Sequence, residues 1–119
     1  MEVAGFHAHI YFTSPDPAAG ATVQQRVRER FGDLVTVGRF HATPVGPHPS
    51  AMFQVAFPAG HLEAVVTWLI EHRDGRSVLI HPLTGDELAD HRDHALWLGP
   101  PLPLDLSALG QLAPRRTVP

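Results

Sequence analysis

A chain of 119 residues is long enough for one domain with a single hydrophobic core and too short for two ordinary domains. Hydrophobic residues make up 44% and charged residues 18% of the chain, a composition typical of a folded, soluble protein. The net charge is −3 and the arginines are scattered, which argues against nucleic acid as a partner. The longest apolar run, residues 64–70, is far shorter than the roughly 20 residues that cross a membrane. With no recognisable leader segment, we expect a cytoplasmic protein without a membrane partner.

The missing residue types restrict the chemistry further. The chain has no cysteine, which excludes disulfides, thiolate nucleophiles and cysteine-ligated zinc or iron–sulfur centres. It also has no lysine, since all nine basic residues are arginine, and this excludes Schiff-base chemistry. Nine histidines are present instead. Because imidazole titrates near neutrality and is the commonest metal ligand, we expect any chemistry here to depend on histidine.

Strand-like and helix-like patterns alternate along the chain. Residues 6–12, FHAHIYF, place His7, His9 and Tyr11 on one face and apolar side chains on the other, which predicts a half-buried strand. Further strands are expected at residues 34–41, 51–57 and 77–81, and apolar side chains at helical spacing predict helices at residues 18–31 and 61–73. Residues 42–50, with three prolines and a glycine, are expected to form a loop.

This order predicts an α+β fold, a ferredoxin-like βαββαβ sandwich with both helices on one face of the sheet. We expect this domain to span residues 1–99, followed by a Pro-rich extension, residues 100–119, that packs along the surface or frays. In such a topology the first strand lies between the third and the fourth. His7 and His9 should therefore lie near His81 on the helix-free face, which must be covered by the C-terminal segment or a second subunit.

The pair His7 and His9 is the best-placed candidate for metal binding. Residues two apart on a strand point the same way, so that their imidazoles can converge on one ion. Such a pair alone is a weak signal, but the expected arrival of His81 on a neighbouring strand strengthens it. We therefore predict a first-row metal site formed by these three histidines.

The segment HPLTGDELADH, residues 81–91, combines histidines with carboxylates. Pro82 lacks the amide donor that a central strand needs, so the fourth strand should end just before it. Thr84 and Glu87 have the spacing of a capping box, which predicts a short helix over residues 85–93 and favours a structural role for the acidic side chains. An alternative is that this helix supplies the carboxylate of a two-histidine, one-carboxylate iron site.

The motifs FHAHIYF, GRFHATPVGPHP and HPLTGDELADHRDHALWLG together resemble the DOPA 4,5-dioxygenase family over about residues 6–99. The resemblance implies a ferredoxin-like fold, a homodimer, and extradiol cleavage of a catechol such as L-DOPA by O2 with a non-haem metal, Fe(II). Another divalent metal such as zinc could occupy the site in a crystal. The positions that match the family's motif histidines are His7, His9, His41, His48, His81 and His91.

Strand geometry divides these residues, together with Arg39, into three expected roles. Metal binding is assigned to His7, His9 and His81. Proton transfer is assigned to His91 and His41, because an imidazole with a pKa near neutrality can accept a catechol proton. Substrate binding is assigned to His48, held stiffly between two prolines, and to Arg39, whose guanidinium can pair with a carboxylate.

A different class of function fits the same residues. A non-enzymatic, dimeric ferredoxin-like module could hold a metal or a small aromatic ligand in the cavity beside the sheet without turning it over. Iron loading followed by a catechol in air separates the two, since only the dioxygenase forms a yellow ring-opened product.

Overall fold

The computed structural model describes residues 2–110, which form a five-stranded sheet flanked by helices. In chain order the elements are β1 (Gly5–Phe12), α1 (Pro17–Phe31), β2 (Thr36–Val37), β3 (Ala51–Pro58), α2 (Leu62–His72), β4 (Val78–Pro82), α3 (Glu87–Arg92), β5 (Leu96–Leu98) and α4 (Ser107–Gly110). The sheet order is β2-β3-β1-β4-β5, and all the pairs are antiparallel. The predicted ferredoxin-like α+β fold is confirmed, with β1 between β3 and β4.

Period-two alternation along β1 divides the sheet into two faces. Ala8, Ile10 and Phe12 point to one face, where they pack in the main core with the apolar sides of α1 and α2. Trp68 of α2 lies in this core as its helical spacing predicts. The main core is thus built on the face away from His7 and His9.

The opposite face carries a second, smaller apolar cluster. Its buried members are Tyr11, Met52 and Leu79, and Trp97 packs against them. Leu102 and Leu104 of the C-terminal segment also pack here, and the amide of Asp105 donates to the carbonyl of Pro47 at 2.8 Å. Residues 102–109 therefore cover the face opposite α1 and α2, which was expected to be covered by the C-terminal segment or a second subunit. The rest of the Pro-rich extension, residues 111–119, lies outside the described residues.

The second strand is much shorter than predicted. Only Thr36–Val37 form a ladder with β3, and a single bridge joins His41 to Met52 further along. Between them Phe40 leaves the edge and packs edge-on against the ring of Phe12, over Gly20 of α1. Burial of this aromatic ring in the core outweighs continued strand pairing at the sheet edge.

Two further local predictions need correction. The predicted capping box does not form: Asp86 caps α3 by accepting from the Ala89 amide, while the Thr84 hydroxyl donates to Asp90. The strand β5, which the sequence did not predict, pairs with β4 and extends the sheet at its edge.

Within the described residues, no helix combines the length and apolarity needed to span a membrane.

Candidate metal centre

Five histidines meet on the face of the sheet opposite α1 and α2. Four of them are buried and one is half-buried; they are His9, His48, His81, His91 and His7. A cavity of about 180 Å³ lies among them, and its other lining residues are Pro47, Gln54, Glu87 and Leu109. The histidines predicted from the first and fourth strands are therefore brought together, on the predicted face.

The sheet register explains the convergence of His7, His9 and His81. His7 of β1 stands directly opposite His81 of β4, and His9 follows two residues later on the same face. The Nε2 atoms of His9 and His81 are 3.1 Å apart. One ring nitrogen from each of the three residues lies within 4.8 Å of the others, close enough for one ion to bind all three.

A second set of three histidines shares His9. It joins His9 to His48, from the Pro-rich loop, and His91, from α3, with donor nitrogens again within 4.8 Å of one another. The His48 ring centroid is 4.1 Å from that of His9, and the His91 centroid is 4.0 Å from that of His81. The loop and α3 therefore close over the strand histidines from above.

Burial lowers the pKa of four of the five histidines and so favours their neutral form. Burial first, and then the neighbouring imidazoles, His91 foremost, lower the pKa of His81 and of His48 to about 4. The pKa of His9 is also well below its usual value, first because of burial and then because of His48 and the other histidines. Burial lowers the pKa of His7, although the Glu87 carboxylate acts in the opposite direction. Neutral imidazole is the form that binds a metal ion.

Backbone carbonyls fix two of the rings in one tautomer. His81 Nδ1 lies 2.9 Å from the carbonyl oxygen of Pro82, and His91 Nδ1 lies 2.7 Å from that of Glu87. A carbonyl oxygen only accepts, so both Nδ1 atoms carry the proton and both Nε2 atoms keep a lone pair. Metal-binding histidines commonly have this backbone support on the nitrogen that faces away from the metal.

The residues present fit a divalent metal. Nitrogen ligands bind such ions at about 2.0–2.1 Å, which places two neighbouring ligands of an octahedral ion about 3 Å apart, close to the His9–His81 spacing of 3.1 Å. His81 Nε2 keeps its lone pair, so His9 Nε2 carries the proton of the 3.1 Å hydrogen bond between them. His9 Nδ1 is buried and has no hydrogen-bond partner among the described residues, so it can take this proton when an ion replaces the hydrogen bond.

The carboxylates of α3 contribute differently from one another. Glu87 lines the cavity and acts electrostatically on His7. Asp90, which is 1% exposed, accepts hydrogen bonds from both the amide and the hydroxyl of Thr84, and thereby ties α3 to the end of β4. This tie places His91, the next residue, over the strand histidines.

Two predicted site residues lie outside the cavity. Arg39 is exposed, and His41 is half-buried at its bridge with Met52; neither lines the cavity. Burial lowers the pKa of His41, and the nearby Arg39 lowers it further. Their assignment to substrate binding and proton transfer stays a prediction.

Three residues of the site were missed by the sequence analysis. Tyr11 donates or accepts a 2.7 Å hydrogen bond with His48 Nδ1, and Gln54 stands opposite His9 on β3. Leu109 of α4 lines the cavity from the C-terminal segment. The alternation that singled out His7 and His9 also places Tyr11 on their face, so that this residue could have been found; Leu109 carries no comparable signal.

Comparison with known proteins identifies the family of this chain. A family model described as the Dopa 4,5-dioxygenase family matches residues 6–108. The DOPA 4,5-dioxygenase of Amanita muscaria is 34% identical over 116 residues, which cover 91% of this chain and 50% of that protein. An uncharacterised 21.2 kDa protein of Botryotinia fuckeliana is 38% identical over 118 residues, which cover 90% of this chain and 64% of that protein. The chain therefore spans about half to two thirds of the length of these relatives.

A solved structure supports the fold. The crystal structure of a candidate dioxygenase from Nostoc punctiforme matches with a TM-score of 0.78 and 46% sequence identity, covering 92% of this chain and 94% of that one. Because the family model matches most of the described residues and the histidine motifs lie within the match, the chain belongs to the Dopa 4,5-dioxygenase family.

Proposed function

We propose that this protein is an extradiol dioxygenase that opens the ring of a catechol such as L-DOPA with O2, using a histidine-bound non-haem Fe(II). The observation that carries the proposal is the convergence of His7, His9 and His81 in a buried cluster within a member of this family. In the reaction both oxygen atoms of O2 enter the product, which is a ring-opened semialdehyde with a carboxylate.

The strand histidines would hold the metal through their nitrogen lone pairs. A bound Fe(II) would supply the one-electron chemistry that lets dioxygen react with a catechol. His81 Nδ1 donates to the Pro82 carbonyl, so its Nε2 keeps the lone pair that a metal would bind. Three protein ligands would leave coordination positions open for the substrates.

His91 is the best-placed proton acceptor. Its Nδ1 donates to the Glu87 carbonyl, so its Nε2 carries a lone pair within a buried cluster. A catechol must lose protons from its hydroxyls before it reacts, and a neutral imidazole can accept one of them. The helix α3 and its tie through Asp90 to Thr84 keep this ring over the strand histidines.

Apolar residues shield the cavity on its covered side. Pro47 and Leu109 line it, and Leu109 is 5% exposed. Excluding water there strengthens hydrogen bonds to the substrate oxygens and protects reactive species from hydrolysis. The half-buried His7 and Glu87 mark the side through which a substrate enters.

The test is iron-dependent turnover. The protein is loaded with Fe(II) under anaerobic conditions and mixed with L-DOPA and other catechols in air, and a yellow product is expected only in the presence of iron. Zinc loading is the matched control, because zinc has no redox chemistry. Tight binding of metal or catechol without any absorbance change across the panel would instead identify a non-enzymatic binding module.

Single-histidine variants test the assignment. His9→Ala and His81→Ala should each abolish iron-dependent turnover and leave the circular dichroism spectrum unchanged. His72→Ala is the control, because His72 lies at the exposed end of α2 and should keep its activity. Equal activity in all three variants would refute the metal site. The homodimer and the cytoplasmic location also remain proposals, to be tested by light scattering and cell fractionation.

A further inference from the structure

We infer that Tyr11 is a positioning residue that holds His48 as a hydrogen-bond donor to the substrate, and that His48 is not a metal ligand. The inference rests on the proposed function for the identity of the substrate. Its statement about the His48 tautomer depends only on the hydrogen bonds of this chain.

The direction of the hydrogen bond between Tyr11 and His48 follows from burial. The Tyr11 hydroxyl lies 2.7 Å from His48 Nδ1 and is buried, since Tyr11 is 3% exposed. Within the described residues, His48 is the partner that the structure gives this hydroxyl. Leaving a buried O–H without an acceptor is energetically costly. The Tyr11 O–H therefore donates to His48 Nδ1.

This hydrogen bond also fixes the tautomer of the His48 imidazole. When Nδ1 accepts a hydrogen bond, the proton of the neutral ring lies on Nε2. A nitrogen that carries a proton has no lone pair for a metal. His48 therefore differs from His81 and His91, whose backbone partners are carbonyl oxygens and leave Nε2 without a proton.

The hydrogen bonds distinguish the two sets of three histidines as metal sites. A metal bound by His9, His48 and His91 would need a lone pair on one nitrogen of His48. In this structure Nδ1 of His48 accepts from the Tyr11 hydroxyl, and Nε2 carries the ring proton. In the set of His7, His9 and His81, the Nε2 atoms of His9 and His81 share a hydrogen bond at 3.1 Å, but His9 Nδ1 has no partner among the described residues and can take the proton when an ion binds. The hydrogen bonds thus assign the metal to the strand histidines and leave His48 as an N–H donor.

The backbone holds His48 in place for this role. Its amide donates to the Val45 carbonyl at 3.0 Å, and the carbonyl of Pro47 accepts from the Asp105 amide of the C-terminal segment at 2.8 Å. Prolines on both sides restrict the backbone further. A donor fixed in this way can bind a catechol oxygen, or an oxygen atom of O2, as negative charge develops there.

The tautomer is tested first in the metal-free protein. Long-range ¹H–¹⁵N spectra of the imidazoles should show His48 with Nε2 protonated and Nδ1 unprotonated, and His81 with the opposite arrangement. In Tyr11→Phe the two nitrogen shifts of His48 should move toward each other, because neither tautomer is then favoured by a donor. A His48 ring protonated on Nδ1 in the wild type would overturn the inference.

Metal affinity provides the second readout, with Zn²⁺ as the probe. Tyr11→Phe and His48→Ala should each change the Zn²⁺ dissociation constant less than about threefold, whereas His81→Ala should weaken binding by about 100-fold or more. A loss in His48→Ala as large as that in His81→Ala would overturn the inference. If His48→Ala does not fold, Tyr11→Phe carries the test, since it removes only the hydroxyl.

Turnover separates this inference from the proposed function. If a catechol is cleaved, Tyr11→Phe should lower kcat by about 10–100-fold while metal content stays unchanged, because losing a donor to a developing negative charge costs about 10²–10³-fold and Tyr11 acts on that donor only indirectly. An unchanged kcat in Tyr11→Phe would refute the positioning role. If the wild type cleaves no catechol, the proposed function fails, and the spectra and Zn²⁺ affinities still decide the role of Tyr11.

Discussion

Acid should destabilise the metal-free protein in a pH range where most domains change little. His48 and His81 have pKa values of about 4 in the folded chain, against a usual 6.5, mainly because they are buried. Above pH 6.5 both residues are neutral in the folded and the unfolded state and contribute nothing. Below pH 6.5 these two histidines bind protons in the unfolded chain but stay neutral in the folded chain. The free energy of unfolding therefore falls until the pH reaches about 4.

The expected magnitude follows from the shift. One pKa unit corresponds to about 1.4 kcal/mol, so that each of the two histidines lowers the free energy of unfolding by about 2 kcal/mol between pH 6.5 and 5. Together they account for about 4 kcal/mol, a large share of the roughly 5–15 kcal/mol that stabilises a typical domain. Most carboxylates are still ionised in this window, so that the histidines dominate the change.

Urea unfolding of the chelator-treated protein measures this effect. With a denaturant slope of about 2 kcal/mol/M, the midpoint should fall by about 2 M or more from pH 6.5 to 5, because the lowered pKa of His9 acts in the same direction. In His48→Gln, the slope of the free energy of unfolding against pH should decrease by the equivalent of about one bound proton. A free energy of unfolding that stays constant, or rises, on acidification over this range would refute the reasoning from burial.

Three further outcomes are expected. Asp90→Ala should lower the free energy of unfolding by about 2–4 kcal/mol, because it leaves the buried Thr84 amide and hydroxyl without their acceptor. Gly20→Ala should destabilise the fold by about 1–3 kcal/mol, because the added methyl group would overlap the Phe40 ring. Zn²⁺ at 100 times its dissociation constant should stabilise the wild type by about 2.7 kcal/mol, and His81→Ala should remove most of this gain.

Matched controls are available for the two stability variants. Asp93 is exposed at the end of α3, so Asp93→Ala should change the unfolding midpoint much less than Asp90→Ala. Gly60 is exposed and has no atom near its potential methyl group, so Gly60→Ala should be tolerated. If each control were as destabilising as its counterpart, the proposed contacts would not be the cause.

Local patterns predicted much of the fold because they follow from the chain itself. Alternation along β1 fixed which residues share a face, and the order of elements fixed β1 between its neighbours, so that His7, His9 and His81 could be placed together. The loop residue His48 and the helix residue His91 could be named as candidates from their motifs. Their approach to the strand histidines depends on tertiary contacts, which the sequence pattern does not specify.

The errors arose where distant contacts outweighed local preference. Phe40 belongs to a strand-like stretch, yet its ring packs into the core and ends β2 early. Thr84 has the spacing of a helix cap, yet it donates to the buried Asp90, and Asp86 caps the helix instead. In each case a buried partner that is remote in space or sequence decides the outcome, and periodicity contains no information about that partner.

The separation of the two faces explains how a small domain can keep a cluster of imidazoles. The main core, around Ile10 and Phe53, lies under the helices and uses none of the site residues. The histidines instead lie on the other face, where Tyr11 and Leu79 form the smaller apolar cluster beside them. Because burial of a charged histidine is costly, this face favours neutral imidazoles, which are the form that binds a metal ion. Substitutions of the strand histidines should therefore affect metal affinity more than the stability of the fold.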